Sequence, residues 1–211
     1  MSNGILILGD SGMGKTASLR NLDPNTTLII QPIKKKLPFK SNDWGNSTKS
    51  IIQTSDYNQI HKALDASGQW GKSAVIIDDA NYLLTLAELA RSGETGYQKF
   101  TDMAKSFYYL IEHLHSLPTE QRCYMMMHTE LQPDGAIKPK LTGKMLSEKI
   151  VIEGLFSMVM RAQNQDNNFG FTTTNQNDCV KCPMGMFSEQ IIDNDLAIVD
   201  NTIRQYYNLE Y

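Results

Sequence analysis

The sequence predicts an α/β fold: a mainly parallel sheet flanked by helices, with a β-hairpin towards the C-terminus. Three observations predict it. Short apolar runs alternate along the chain with segments of helical periodicity. The first run, Ile5-Leu6-Ile7-Leu8, leads directly into a glycine-rich loop and then a helical segment. A later run, Ala74-Val75-Ile76-Ile77, ends in two adjacent acids, Asp78 and Asp79. Neither run carries a helical stripe, as is expected of parallel strands buried on both faces.

The remaining elements follow in chain order. Residues 15–21 read as a short helix that stops before Pro24, because the residue ahead of a proline avoids helical angles. Residues 27–31 (Thr-Leu-Ile-Ile-Gln) form the next strand, and residues 51–54 a short third. A helical stripe through Ile60, Ala63 and Leu64 marks 57–66. Leucine-rich residues 82–91 form another helix. Residues 100–117 place Phe100, Met103, Phe107, Leu110, Ile111 and Leu114 on one face, and Pro118 ends that helix. Residues 124–127 are a strand. Residues 155–162 and 169–174 pair across Asp166-Asn167-Asn168, and 203–207 close the chain as a helix. The least regular stretch is 32–49, with Pro32, Lys34-Lys35-Lys36 and Pro38. It reads as a surface loop, its three lysines serving either as a solvated face or as phosphate or DNA contacts.

At 211 residues the chain fits a single domain, 1–211, large enough to bury a real core. Its 41% hydrophobic and 20% charged residues are those of an ordinary globular protein. The formal net charge of −3 gives no global pull towards nucleic acid and leaves only local basic patches to consider. No apolar run is long enough to span a membrane. The first strand begins too early for a signal peptide, so a cytoplasmic location is expected. Cys123, Cys179 and Cys182 then read as reduced thiols. Cys179 and Cys182 have C-x-x-C spacing; zinc would need further ligands, for which Cys123 and His128 are the candidates, and a redox pair is the other reading.

Residues 9–16, Gly-Asp-Ser-Gly-Met-Gly-Lys-Thr, match G-x-x-x-x-G-K-[ST], the phosphate-binding P-loop. Gly9, Gly12 and Gly14 permit turns that a side chain would obstruct. Backbone N–H groups from Gly9 through Asp10, Ser11, Gly12, Met13, Gly14, Lys15, Thr16 and Ala17 then face a phosphate. Lys15 supplies a cation to the β- and γ-phosphates, and the Thr16 hydroxyl is a Mg²⁺ ligand. The helix that follows adds its positive end. Four apolar residues ending in Asp78 make the Walker B pattern, with Asp78 holding Mg²⁺ opposite Thr16.

Hydrolysis also needs a group to orient or deprotonate water. Asp79 and Glu130 are the two candidates. Asp79 also reads as an ordinary helix cap. His128, at the end of the 124–127 strand, is either a donor that senses the γ-phosphate or a histidine packed beside the sheet. Beyond it, Pro133-Asp134-Gly135 marks a tight turn in a protruding hairpin or loop. Lys138, Lys140 and Lys144 make this the basic surface best placed for single-stranded DNA, or else an ordinary soluble loop.

The chain resembles the phage-encoded P-loop ATPases related to the RecA-like core, including short recombinase-like proteins that work beside single-strand annealing or binding proteins. The resemblance rests on the 9–16 loop, Lys36-Leu37-Pro38-Phe39, Ile76-Ile77-Asp78-Asp79 and His128-Thr129-Glu130. Gly143-Lys144-Met145-Leu146 and Pro183-Met184-Gly185-Met186-Phe187 complete it. It implies a RecA-like sheet with an extra strand between the P-loop and Walker B strands, and homo-oligomers with ATP at subunit interfaces. It also implies that Lys181 reaches a neighbour's γ-phosphate as a trans-acting cation, with Lys144, Arg161 and Arg204 as competitors. RecA-like recombinases carry a glutamate after the second strand; here that strand ends in Gln31-Pro32, and no appended DNA-binding domain is expected.

The function expected from the sequence is an ATP-binding, Mg²⁺-dependent ATPase that assists phage DNA recombination or replication. Two other classes compete. A nucleotide kinase would need an arginine-rich lid, whereas Arg20, Arg91, Arg122, Arg161 and Arg204 are dispersed. A non-hydrolysing module would use ATP to set an assembly or partner state. No guanine-reading Asn/Thr-Lys-x-Asp motif is present, which favours ATP over GTP.

Overall fold

The computed structural model describes residues 3–143, 150–174 and 178–209. One eight-stranded mixed sheet organises them. In chain order its strands are β1 (Asn3–Leu8), β2 (Thr27–Gln31), β3 (Ile51–Gln53), β4 (Ala74–Ile77), β5 (Arg122–Met127), β8 (Met158–Gln165), β9 (Asn168–Thr172) and β10 (Ile191–Asp193). Across the sheet the order is β10-β9-β8-β1-β5-β4-β2-β3. The strands from β8 to β3 pair in parallel, and β9 and β10 add an antiparallel edge. A separate two-stranded ribbon, β6 (Thr129–Leu131) with β7 (Ile137–Pro139), rises beyond the end of β5.

Helices cover both faces, so the central strands are buried and mainly apolar. Leu6 and Leu8 of β1 face one core with α1 (Tyr57–Ser67), α2 (Asn81–Ala90) and α3 (Gln98–Ser116). Ile5 and Ile7 face the other core with α4 (Leu196–Tyr207) and a 3-10 helix, Thr16–Asn21. The two-residue period of a strand sends alternate side chains to opposite layers. Every residue from Ile5 to Leu8 is therefore fully buried.

The expected elements are present, with four differences. The segment after the glycine-rich loop is six residues of 3-10 helix rather than an α-helix. The Ser18 hydroxyl donates to the Lys15 carbonyl at 2.6 Å and so competes locally for the helix backbone. Residues Ile152–Leu155 form a 3-10 turn, and the strand expected from 155 starts at Met158. The closing helix begins at Leu196, seven residues before the expected 203, capped by Asp195, whose carboxylate accepts from the Ala197 N–H at 3.0 Å. The edge strand β10 was not expected. The hairpin between β8 and β9 turns on Asp166 and Asn167, both at positive φ (51° and 65°), as a two-residue right-twisted turn requires. No helix among the described residues is long and apolar enough to cross a membrane.

Candidate phosphate-binding cleft

β5 lies between β1 and β4, so the glycine-rich loop and the acid pair leave the sheet two strands apart, at the same carboxyl edge. Open α/β sheets bind ligands at this edge. A cleft of about 300 Å³ opens there, lined by Asp10, Ser11, Gly12, Gly14, Lys15, Thr16 and Ala17 from the loop. Lys35, Pro38, Asp79, His128 and Phe169 complete the wall.

The loop is shaped by its glycines. Gly12 and Gly14 have φ of 82° and 89°, in the left-handed region. A β-carbon on Gly14 would lie 3.0 Å from the Asn194 amide and from the Phe169 ring. Gly9 and Met13 line no part of the cleft. The Gly9 N–H donates to Met127 O at 3.2 Å, continuing the β1–β5 ladder, and its carbonyl accepts from Lys15 Nζ at 2.6 Å. Met13 packs towards the core. With only six residues of 3-10 helix behind it, the loop's anion-binding capacity rests on its own N–H groups and on Lys15.

Lys15 is 5% exposed and also donates to Asp10 O at 3.1 Å. Burial lowers its pKa, and Asp79, Asp78 and Asp10 oppose that shift without cancelling it. An anion in the cleft would therefore relieve a desolvated cation.

Opposite the loop, the Thr16 hydroxyl donates to Asp78 Oδ1 at 2.8 Å. Asp78 is 1% exposed, and its Oδ2 accepts from Gln31 Nε2 at 3.3 Å. Gln31 in turn accepts from Gln53 Nε2 at 3.2 Å. These oxygens suit Mg²⁺: hard donors, few in number, leaving the remaining positions to water and phosphate. Among the described residues there is no cluster of three His, Cys, Asp or Glu side chains, and a phosphate-bound Mg²⁺ does not need one.

Asp79 has φ of 61°. Aspartate tolerates this conformation better than most residues. The turn lets the Ala80 N–H bond to Met126 O at 2.8 Å and directs the Asp79 carboxylate into the cleft. It makes no side-chain cap to α2, whose N-cap is Ala80. Asp79 pairs with Lys35, and its Oδ1 lies 3.4 Å from His128 Nε2. The His128 backbone N–H donates to Asn81 Oδ1 at 3.2 Å. Burial and the nearby Lys15 charge lower the His128 pKa, with Asp79 opposing. His128 is thus a neutral hydrogen-bonding group in the cleft at neutral pH.

The other predicted residues lie elsewhere. Glu130 sits on β6 opposite Lys138, in a separate groove with Leu141, Ile150 and Val151. Lys181 is exposed and pairs through its backbone with Val159, beside the sheet and outside this cleft. Lys138 and Lys140 are exposed on the ribbon. Lys144, with Met145 and Leu146, lies outside the described residues. Arg161 forms an ion pair with Asp178 at 3.0 Å. The three cysteines are free thiols, and burial pushes Cys179 and Cys182 up to about 12, far from the thiolate form that metals and redox exchange use.

Lys35 is the principal residue that sequence reasoning left unplaced. Its neighbours Lys34 and Lys36 point to solvent, while Lys35 turns in to the acid pair. Phe169, Asn81 and Gln31 were also missed as site residues. No family model matches the chain, and no curated protein matches it.

Proposed function

We propose that the chain binds ATP with Mg²⁺ at residues 9–17 and acts as a Mg²⁺-dependent ATPase with a RecA-like fold, assisting phage DNA recombination or replication. The observation that carries the reading is the pairing of Thr16 with Asp78 across the same cleft as buried Lys15. One loop offers an anion site and the facing strand offers a divalent-cation site, which together suit a metal triphosphate. The position of β5 between β1 and β4 supports the RecA-like assignment.

Lys15 and the loop N–H groups would hold the phosphates, and Thr16 and Asp78 would hold the metal. Bound Mg²⁺ would neutralise charge on the phosphates. Asp79 is the group that would orient water, because it alone of the two candidate acids lines the cleft. His128 would donate to the terminal phosphate. Lys181 lies outside the cleft of its own chain, so a finger role requires a neighbouring copy in a homo-oligomer, with ATP between subunits. Single-stranded DNA, or a phage single-strand annealing or binding protein, is the proposed partner, met through Lys138 and Lys140.

A second reading, a non-hydrolysing module gated by ATP, is favoured by one observation: Lys35 and His128 hold the Asp79 carboxylate. The test is steady-state ATP hydrolysis with and without single-stranded DNA, on wild type and Lys15→Ala. The expected result is DNA-stimulated turnover abolished by the substitution. ATP binding without turnover would instead select the gated module.

A further inference from the structure

Lys35 stands where three oxygens converge. Its ammonium pairs with Asp79 Oδ2, lies 3.3 Å from Asp78 Oδ2 and 3.5 Å from Thr16 Oγ1. Thr16 and Asp78 are the groups that suit a divalent cation, and Asp79 is the acid beside them. Asp78 and Asp79 hold the Lys35 ammonium between them by charge. Its side chain is 33% exposed, so the ammonium has a way out to solvent. The lysine belongs to no helix or strand; it sits in the irregular segment between β2 and β3.

Two cations cannot share these oxygens at close range, because like charges a few ångströms apart repel strongly where water is scarce. We propose that Lys35 and the divalent cation compete for the same oxygens, so that metal binding expels the Lys35 ammonium from Asp78 and Thr16 and moves the segment that carries it. The proposal rests on the metal–nucleotide reading of the cleft. It gives the 32–49 segment a purpose: the metal site would be coupled to a surface loop.

The test uses Mn²⁺ alone as probe, titrated into wild type, Lys35→Met and Lys35→Arg and followed by electron paramagnetic resonance of free Mn²⁺. Lys35→Met should bind Mn²⁺ about tenfold more tightly than wild type, as a coupling of ordinary size gives. Lys35→Arg should bind no more tightly than wild type. A second measurement needs no variant. In wild type, saturating Mn²⁺ should raise acetylation of Lys35 relative to Lys34 and Lys36, read by mass spectrometry. Equal Mn²⁺ affinities, or Lys35 acetylation unchanged by metal, would overturn the proposal. A parallel titration with a fluorescent ATP analogue and Mg²⁺ separates the two failures. Binding by wild type with no effect of Lys35 overturns the competition alone; no binding by wild type overturns the nucleotide reading and the competition with it.

Discussion

β5 carries a buried charge cluster at each end, and the two are built differently. At its start, Arg122 is 1% exposed and grips Asp200 of α4 with two bonds of 2.8 and 2.7 Å. The Tyr124 hydroxyl donates to the same carboxylate at 2.6 Å, and Arg122 also reaches Glu120 O at 2.6 Å. At its end, beside His128, Lys15, Lys35, Asp78 and Asp79 meet around an open cleft. The first cluster uses a planar guanidinium fork, which fixes geometry. The second uses lysines, flexible point charges that can change partners. The contrast teaches how to tell a structural ion cluster from one built to exchange: the chemistry of the cation and the access to solvent decide, and burial alone does not.

The largest effect should come from opening the first cluster. Asp200→Ala leaves Arg122 buried without its counter-ion, and such losses cost about 3–5 kcal/mol. Lys15→Ala in the second cluster removes a cation whose desolvation is itself costly, and Lys35 still pairs with both acids. The stability of this variant should stay within about 1 kcal/mol of wild type. Urea denaturation of both variants checks the pair. Comparable losses would break the distinction between the clusters.

A smaller effect tests whether the proposed phosphate site extends to a base. Phe169 is 44% exposed, lines the cleft, and stands next to Gly14. An aromatic face at that place suits a nucleotide base. Phe169→Ala should weaken ATP binding by about 1 kcal/mol, roughly fivefold, the size of a single aromatic contact. Binding of inorganic triphosphate should not change. Calorimetric titration with both ligands distinguishes them, and equal losses would place Phe169 in loop support instead.

Much of this architecture is legible in the sequence because its signals are local. β2 and β4 are legible to the residue, since continuous apolar runs flanked by polar residues mark strands buried on both faces. The start of α4 is not, because its buried stripe of Leu196, Val199, Asp200 and Ile203 includes an acid whose partner, Arg122, is 78 residues away. The Asp195 cap was the one available signal. In the cleft, the glycine-rich loop and Asp78 follow from motifs. The inward turn of Lys35 does not, because three consecutive lysines look alike until the fold decides which one meets the acids. The same holds for Asp79 against Glu130: only the left-handed turn at Asp79 and the departure of β6 into a ribbon separate them.

The smallest effect concerns acid stability, and it lies outside both clusters. His115 of α3 packs edge to face on Phe156, with ring centroids 5.3 Å apart. Burial lowers its pKa, and Glu112 opposes only partly. The unfolded chain therefore binds this proton more readily than the folded one once the pH falls below the ordinary histidine value of 6.5. The His115 contribution to stability is complete above that value and is lost as the pH falls through the lowered folded value. His61 and His128 are shifted in the same direction, again chiefly by burial, so the whole protein should lose stability on the same side. His115→Gln, which cannot take up the proton, should flatten part of the slope below about pH 6.5. Denaturant midpoints measured across that range check it. An unchanged slope in the variant would mean that His61 and His128, the second of them at the cleft, carry the acid sensitivity.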